Sequence, residues 1–232
     1  MNRENGVWYT ESDLNRSQTK PLPATSAKKV LLFGGTFDPP HVGHLTMAQL
    51  AYEQTGVDEV WFLPAPSPPH KADIADDTFA WRVAMVSALL HDRPHLRTMP
   101  LEARLPRPSY TIDTVKACKK WYAGVDFMFL LGADSLAHLP TWSGATALCS
   151  LIPFVVAARE GYPIAQTMAK VRKALPNLQV GVIEMPLLDV SSTWLRERLD
   201  RGQDTCELVP ERVLDVWWQG PNGVAKDGGD QA

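Results

Sequence analysis

"GGTFDPPHVGH", residues 34–44, lies between the apolar run Val30-Leu31-Leu32-Phe33 and a helix-like stretch that begins Leu45-Thr46-Met47-Ala48. Glycines at the end of a buried strand let the backbone turn tightly and approach a ligand, and the N-terminus of the following helix offers free N–H groups to an anion. The segment therefore predicts strand, phosphate-binding loop, helix. The dinucleotide fingerprint GxGxxG is absent, which disfavours a nicotinamide-dependent dehydrogenase. His41 and His44 stand three residues apart, a spacing that puts both imidazoles on one face of a helix, with Gly43 leaving room between them. Beside a polyphosphate the charged form of each ring is favoured, so the pair reads as donors to charge that builds on phosphate oxygens. The bland alternatives are capping histidines at a helix start and a zinc pair, which lacks an obvious third ligand nearby.

Working outward, apolar runs alternate with helix-like stretches. Residues 30–33, 59–63, 125–131 and 152–157 are short and largely continuous in apolar character, as parallel strands buried on both faces are. Between them, 43–56, 77–91, 110–122 and 164–174 carry apolar residues at helical spacing, with Phe79, Val83, Val86 and Leu90 forming one stripe. The alternation implies an α/β protein with a doubly wound parallel sheet, whose ligands bind beyond the carboxyl ends of the strands where the chain order reverses. Residues 191–218 read as a closing helical segment, and 64–69 and 105–108 as loops. Residues 1–28 lack either periodicity and are expected to form a loosely attached leader, with 29–220 as one domain and 221–232 as a flexible tail.

The bulk numbers exclude several classes. With 232 residues, 45% hydrophobic and 21% charged, the chain is long enough for one sizeable core. A net charge of −3 argues against nucleic acid held by bulk electrostatics, so any phosphate is recognised locally. Three scattered cysteines with no CxxC pair make disulfides and structural zinc poor expectations and fit a reducing cytoplasm. No apolar stretch is long enough for a membrane span, and self-association stays open.

"GGTFDPPHVGHL" resembles the signature of the nucleotidyltransferase superfamily, whose hallmark (H/T)xGH stands here as His41-Val42-Gly43-His44. Five further segments resemble the bacterial nicotinate-nucleotide adenylyltransferases: "FLPAPSPPHK" (62–71), "PSYTIDTV" (108–115), "FLLGADSLAHLPTW" (129–142), "VSSTWLRERL" (190–199) and "LVPERVLDVW" (208–217). Their order and spacing agree with that family over most of residues 29–219. The resemblance implies a Rossmann-like nucleotidyltransferase fold with a small C-terminal helical segment. It also implies a reaction that joins ATP and nicotinate mononucleotide, with Mg²⁺, into nicotinate adenine dinucleotide and pyrophosphate. Rivals are superfamily members acting on nicotinamide mononucleotide, phosphopantetheine or a cytidylyl acceptor, and, from a different class, a silent nucleotide sensor.

The same resemblance implies the site. His41, His44, Lys71 and Arg196 would carry the chemistry, with Gly34, Gly35, Thr36, Phe37, Gly132, Asp134, Ser191, Ser192 and Thr193 on the ATP side. Ser109, Tyr110, Thr111 and Trp142 would hold the nicotinate nucleotide, the indole stacking on the pyridine ring. Physically, Ser191-Ser192-Thr193 with Arg196 also reads as a plain capped helix, Trp142 as core packing, Lys71 as a surface lysine and Asp134 as a helix N-cap. One departure stands out: where the family carries Arg-Pro-Gly, this chain has Arg159-Glu160-Gly161.

Overall fold

In the computed structural model, residues 21–66, 78–159 and 161–221 are described. Strand β1 (Lys29–Gly35) alternates strictly: Val30 and Leu32 enter the core on one face of the sheet, Leu31 and Phe33 the core on the other. Both faces are covered, which is why the strand reads as an unbroken apolar run.

The chain continues through α1 (Val42–Thr55), β2 (Glu59–Pro64), α2 (Phe79–Leu89), β3 (Leu96–Thr98), a 3-10 turn (Leu101–Arg104), α3 (Thr111–Trp121) and β4 (Asp126–Gly132). Next come α4 (Ala133–His138), a second 3-10 turn (Leu139–Thr141), α5 (Ala145–Leu151), β5 (Phe154–Arg159), α6 (Ile164–Ala174), β6 (Val180–Met185), α7 (Ser192–Asp200) and α8 (Glu211–Trp217). Among the described residues the strands form a single sheet in the order β3-β2-β1-β4-β5-β6, parallel throughout. The order reverses between β1 and β4, so the crevice at the switch point opens beyond Gly35 and Gly132. That is where the glycine loop was expected to meet a ligand.

Three differences from the sequence reading have physical reasons. The stretch 191–218 is not one segment but two helices, α7 and α8, separated by ten residues, 201–210, that include Cys206 and Glu207 in left-handed backbone. Residues 21–28, read as part of a leader, lie on the domain: Ala27 is buried, Leu22 packs on the core, and Tyr122 donates to the Pro23 carbonyl at 3.1 Å. Strand β3, with three residues, and β6, an edge strand with exposed positions, escaped the periodicity. Cys118 and Cys149 are buried free thiols and Cys206 is an exposed one.

Helix α8 closes the fold against α2. The Trp81 ring lies 4.8 Å from that of Trp217, and its Nε1–H donates to the Val216 carbonyl at 2.8 Å. Trp81→Phe leaves that carbonyl without its donor and opens space beside Trp217. It is expected to cost about 2–4 kcal/mol in the urea midpoint extrapolation. A change below about 0.5 kcal/mol, the size of an ordinary surface substitution, contradicts this docking role.

Candidate active site

The loop after β1 is held by donors from three directions. Arg82 of α2, fully buried, donates from Nη1 to the Thr36 carbonyl at 2.7 Å and from Nη2 to the Pro66 carbonyl at 3.1 Å. Arg196 of α7 donates from Nη1 to the Asp38 carbonyl at 2.8 Å and to Asp38 Oδ2 at 3.1 Å. Ser192 Oγ donates to the Pro39 carbonyl at 2.8 Å. Asp38 Oδ1 is buried and has no hydrogen-bond partner among the described residues.

Glycine is required at two points by close approach. A Cβ on Gly35 would meet the Phe37 ring at 2.8 Å, and one on Gly43 would meet a Val190 methyl at 2.9 Å and the His41 ring at 3.0 Å. Phe37 itself takes a positive φ of 54° and is buried, so it serves the loop through its backbone and through packing on Phe33 and His44.

The two histidines are placed differently from the expectation of a shared helix face. His41 precedes α1 as its N-cap; its Nδ1 accepts from the Gly43 N–H at 3.2 Å, while His44 Nδ1 accepts from the His41 N–H at 3.3 Å. This is a capping box built of imidazoles, with ring centroids 3.9 Å apart. The capping reading is therefore correct as far as it goes. With Nδ1 accepting, the neutral form of His41 carries its proton on Nε2.

Burial, at 5% exposure, holds His41 down to about 4, so in the ligand-free protein its charged form is disfavoured rather than favoured.

Beside this loop, at the switch point, lies a cavity of about 810 Å³. Its wall joins Gly34, Gly35 and Thr36 of the loop to Gly132 and Asp134 at the end of β4, and to Ser109, Tyr110, Thr111 and Trp142. Asp134 is the second residue of α4, whose N-cap is Gly132, so it is not the helix cap that the sequence left open. Trp142 follows the second 3-10 turn, half-buried, with its edge on Phe129 at 6.1 Å; it is both core packing and cavity wall.

His41, His44, Arg196 and Ser191-Ser192-Thr193 do not line this cavity; of the α7 residues, Ser192 and Arg196 reach the loop, at Pro39 and Asp38. Ser191 caps α7, accepting from the Trp194 N–H at 3.2 Å, and Thr193 is exposed. Lys71, with His70, and Glu160 lie outside the described residues.

Two residues were missed. Arg82 gave no signal beyond a cation beside the apolar stripe of α2. Glu102, on the cavity wall, accepts from Ser109 Oγ and Thr114 Oγ1, each at 2.9 Å, and burial pushes its carboxyl up to about 7. Nothing in the sequence marked it.

Strand order 3-2-1-4-5-6, the glycine turn at its switch point and the adjoining cavity define a nucleotide-binding protein of the Rossmann-like class. The cytidylyltransferase-like family profile matches residues 32–198. The chain is 39% identical over 186 residues to the probable nicotinate-nucleotide adenylyltransferase of Bacillus pumilus, across 80% of this chain and 93% of that protein. It is 37% identical over 186 residues to the nicotinate-nucleotide adenylyltransferase of Bacillus subtilis, with the same 80% and 93% coverage. The solved Plasmodium falciparum nicotinic acid mononucleotide adenylyltransferase complexed with NaAD shares the fold, with a TM-score of 0.69 over 83% of this chain and 95% of that one at 20% identity. The chain belongs to the nicotinate-nucleotide adenylyltransferase family of cytidylyltransferase-like proteins.

His41 and Glu102 act on stability with opposite signs. The His41 folded value, about 4, lies below its unfolded 6.5, so its contribution is present above pH 6.5 and lost as pH falls toward 4. The Glu102 folded value, about 7, lies above its unfolded 4.5, so its contribution is present below pH 4.5 and lost as pH rises through 7. Each swing is on the order of 3 kcal/mol. Denaturant titrations should therefore show His41→Asn, which keeps a capping acceptor, losing ground to the wild type as pH rises from 4 to 6.5. Glu102→Gln should gain ground from 4.5 to 7. Parallel pH profiles for wild type and variants contradict the assignment.

Proposed function

We propose that the protein transfers the adenylyl group of ATP to nicotinate mononucleotide, giving nicotinate adenine dinucleotide and pyrophosphate. The observation that carries this reading is the cavity at the switch point, whose wall runs from the glycine loop to Ser109-Tyr110-Thr111 and Trp142. One end suits phosphate and the other a pyridine ring with a carboxylate. The N–H groups of Thr111 and Ile112 open α3 without an intrahelical acceptor and suit that carboxylate. The Trp142 indole offers an electron-rich face to the pyridinium.

The nicotinate mononucleotide phosphate is already a nucleophile, so no covalent enzyme intermediate is needed. One of its oxygens attacks the α-phosphorus of ATP in line, the new P–O bond forms, and the bond to the bridging oxygen breaks as pyrophosphate leaves. The protein supplies position and charge. His44 donates to the transferring group, His41 holds the entry to α1, and Arg196, with five N–H donors and one nitrogen engaged at Asp38, turns the others to the phosphates. The family resemblance adds Lys71, which lies outside the described residues, as a further phosphate cation. No group of three metal-binding side chains occurs among the described residues; in this reading Mg²⁺ arrives chelated by ATP as part of the substrate. The substrates are small soluble nucleotides and the site of action is the cytoplasm; no described helix is long and apolar enough to cross a membrane.

The purified protein with ATP and Mg²⁺ is expected to release pyrophosphate faster with nicotinate mononucleotide than with nicotinamide mononucleotide or phosphopantetheine. Faster release with phosphopantetheine overturns the assignment. His44→Ala is expected to lower turnover by on the order of 10²- to 10³-fold, the scale for loss of a preorganised donor, and near-normal turnover removes His44 from the mechanism. Trp142→Ala is expected to weaken nicotinate mononucleotide binding by about 1–3 kcal/mol while sparing ATP, measured by calorimetry; equal losses for both ligands mark a purely structural tryptophan.

A further inference from the structure

Glu102 is the one buried carboxylate on the cavity wall, and each of its oxygens is met by a hydroxyl from the start of α3: Oε2 by Ser109 and Oε1 by Thr114. Those two residues bracket Tyr110 and Thr111, the turn that faces the cavity. Glu102 thus ties the 3-10 turn after β3 to the first turn of α3 and fixes where the Thr111 and Ile112 N–H groups sit.

Thr114 has a single hydroxyl proton and two acceptors in reach, Glu102 Oε1 at 2.9 Å and the Tyr110 carbonyl at 3.3 Å. The network is therefore satisfied in two protonation states. With Glu102 ionised, Thr114 donates to it. With Glu102 protonated, the carboxyl donates to Thr114 Oγ1 and Thr114 donates to the Tyr110 carbonyl. A buried acid with only one satisfied state would resist titration; this one has a place for the extra proton.

We propose that Glu102 is a positioning residue for the pyridine-nucleotide end of the cavity and takes up one proton from solvent when a nucleotide bearing a ring carboxylate binds there. This rests on the functional reading above. A second carboxylate entering the same cavity disfavours the ionised form of the first, and the Thr114 relay accommodates the neutral one. The ring carboxylate stays charged at the helix N-terminus, and Glu102 gives up its charge. Burial starts Glu102 near neutrality, so the exchange falls in the physiological range. The other ionisable groups around it are Cys118 on α3 and Tyr110 at its N-cap, Asp134 and His138 on α4 across the cavity, and Arg104 on its own turn. The Cys118 thiol is itself pushed up to about 12 by burial and by Glu102, and does not titrate in this range.

Pyrophosphate release with nicotinate mononucleotide is measured first on the wild type; if there is none, the functional reading falls and this inference with it. Calorimetric titrations of nicotinate and nicotinamide mononucleotide then follow at pH 6, 7 and 8, in buffers of differing ionisation enthalpy. The wild type is expected to take up protons with the acid and not with the amide, rising toward about one per site at pH 8. Its affinity for the acid should fall by up to about tenfold per pH unit above 7. Glu102→Gln should remove the uptake and slope that distinguish acid from amide, leaving only what the ligand phosphate contributes alike to both proteins. Equal proton uptake with acid and amide in the wild type, or an unchanged pH slope in folded Glu102→Gln, overturns the proposal while leaving the enzymatic assignment standing.

Discussion

The structure depends on the capture of three carbonyls in one turn. Thr36, Asp38 and Pro39 follow a buried strand, and their carbonyls have no strand beside them to pair with; left bare in the interior, each would cost on the order of 1–3 kcal/mol. Arg82, Arg196 and Ser192 supply the donors. Carbonyls committed to protein donors do not face an incoming polyphosphate, so the loop can present N–H groups instead. In the proposed function the clamp makes a glycine-rich turn an anion site, and its donors come from α2 and α7, elements distant in sequence from the loop. That is one reason the C-terminal helices belong to the site rather than serving as an appendage.

The histidine pair follows from the same constraint. A cap is needed where α1 leaves the clamped loop, and His41 provides it with a ring nitrogen where Ser, Thr, Asp or Asn is the usual choice. The cap fixes the tautomer, and the tautomer directs a donor away from the helix. Structure and chemistry are in this sense one arrangement: the bond that stabilises the helix start also readies the ring. Burial disfavours the charged form of His41, and Gly43 is the residue that lets its ring lie over the helix.

Much of this was legible in the sequence. The unbroken apolar character of residues 30–33 and 59–63 marked β1 and β2 because both faces of the sheet are covered; of the residues read from the motifs, Gly34, Gly35, Thr36, Ser109, Tyr110, Thr111, Gly132, Asp134 and Trp142 share one cavity wall, while His41 and His44 lie beside it. What was not legible has identifiable causes. Strand β3 has three residues, too few for any period, and β6 sits at the edge of the sheet with Gly181 and Val182 exposed, which breaks its apolar run. Glu102 is a lone acid in "LEARLPRP"; only the tertiary fold buries it and brings Ser109 and Thr114 to it. Arg196 and Ser192 were read as phosphate ligands from a motif, and their bonds to the β1 loop depend on a contact across more than 150 residues of chain.

The most direct measurement is a crystal structure of the protein with a non-hydrolysable ATP analogue and Mg²⁺. The account predicts phosphate oxygens within hydrogen-bond distance of the His44 ring and of N–H groups in residues 35–44, with Arg82 still on the Thr36 carbonyl and Ser192 still on the Pro39 carbonyl. A triphosphate bound elsewhere, or a loop whose carbonyls have left those donors to admit it, would contradict the account.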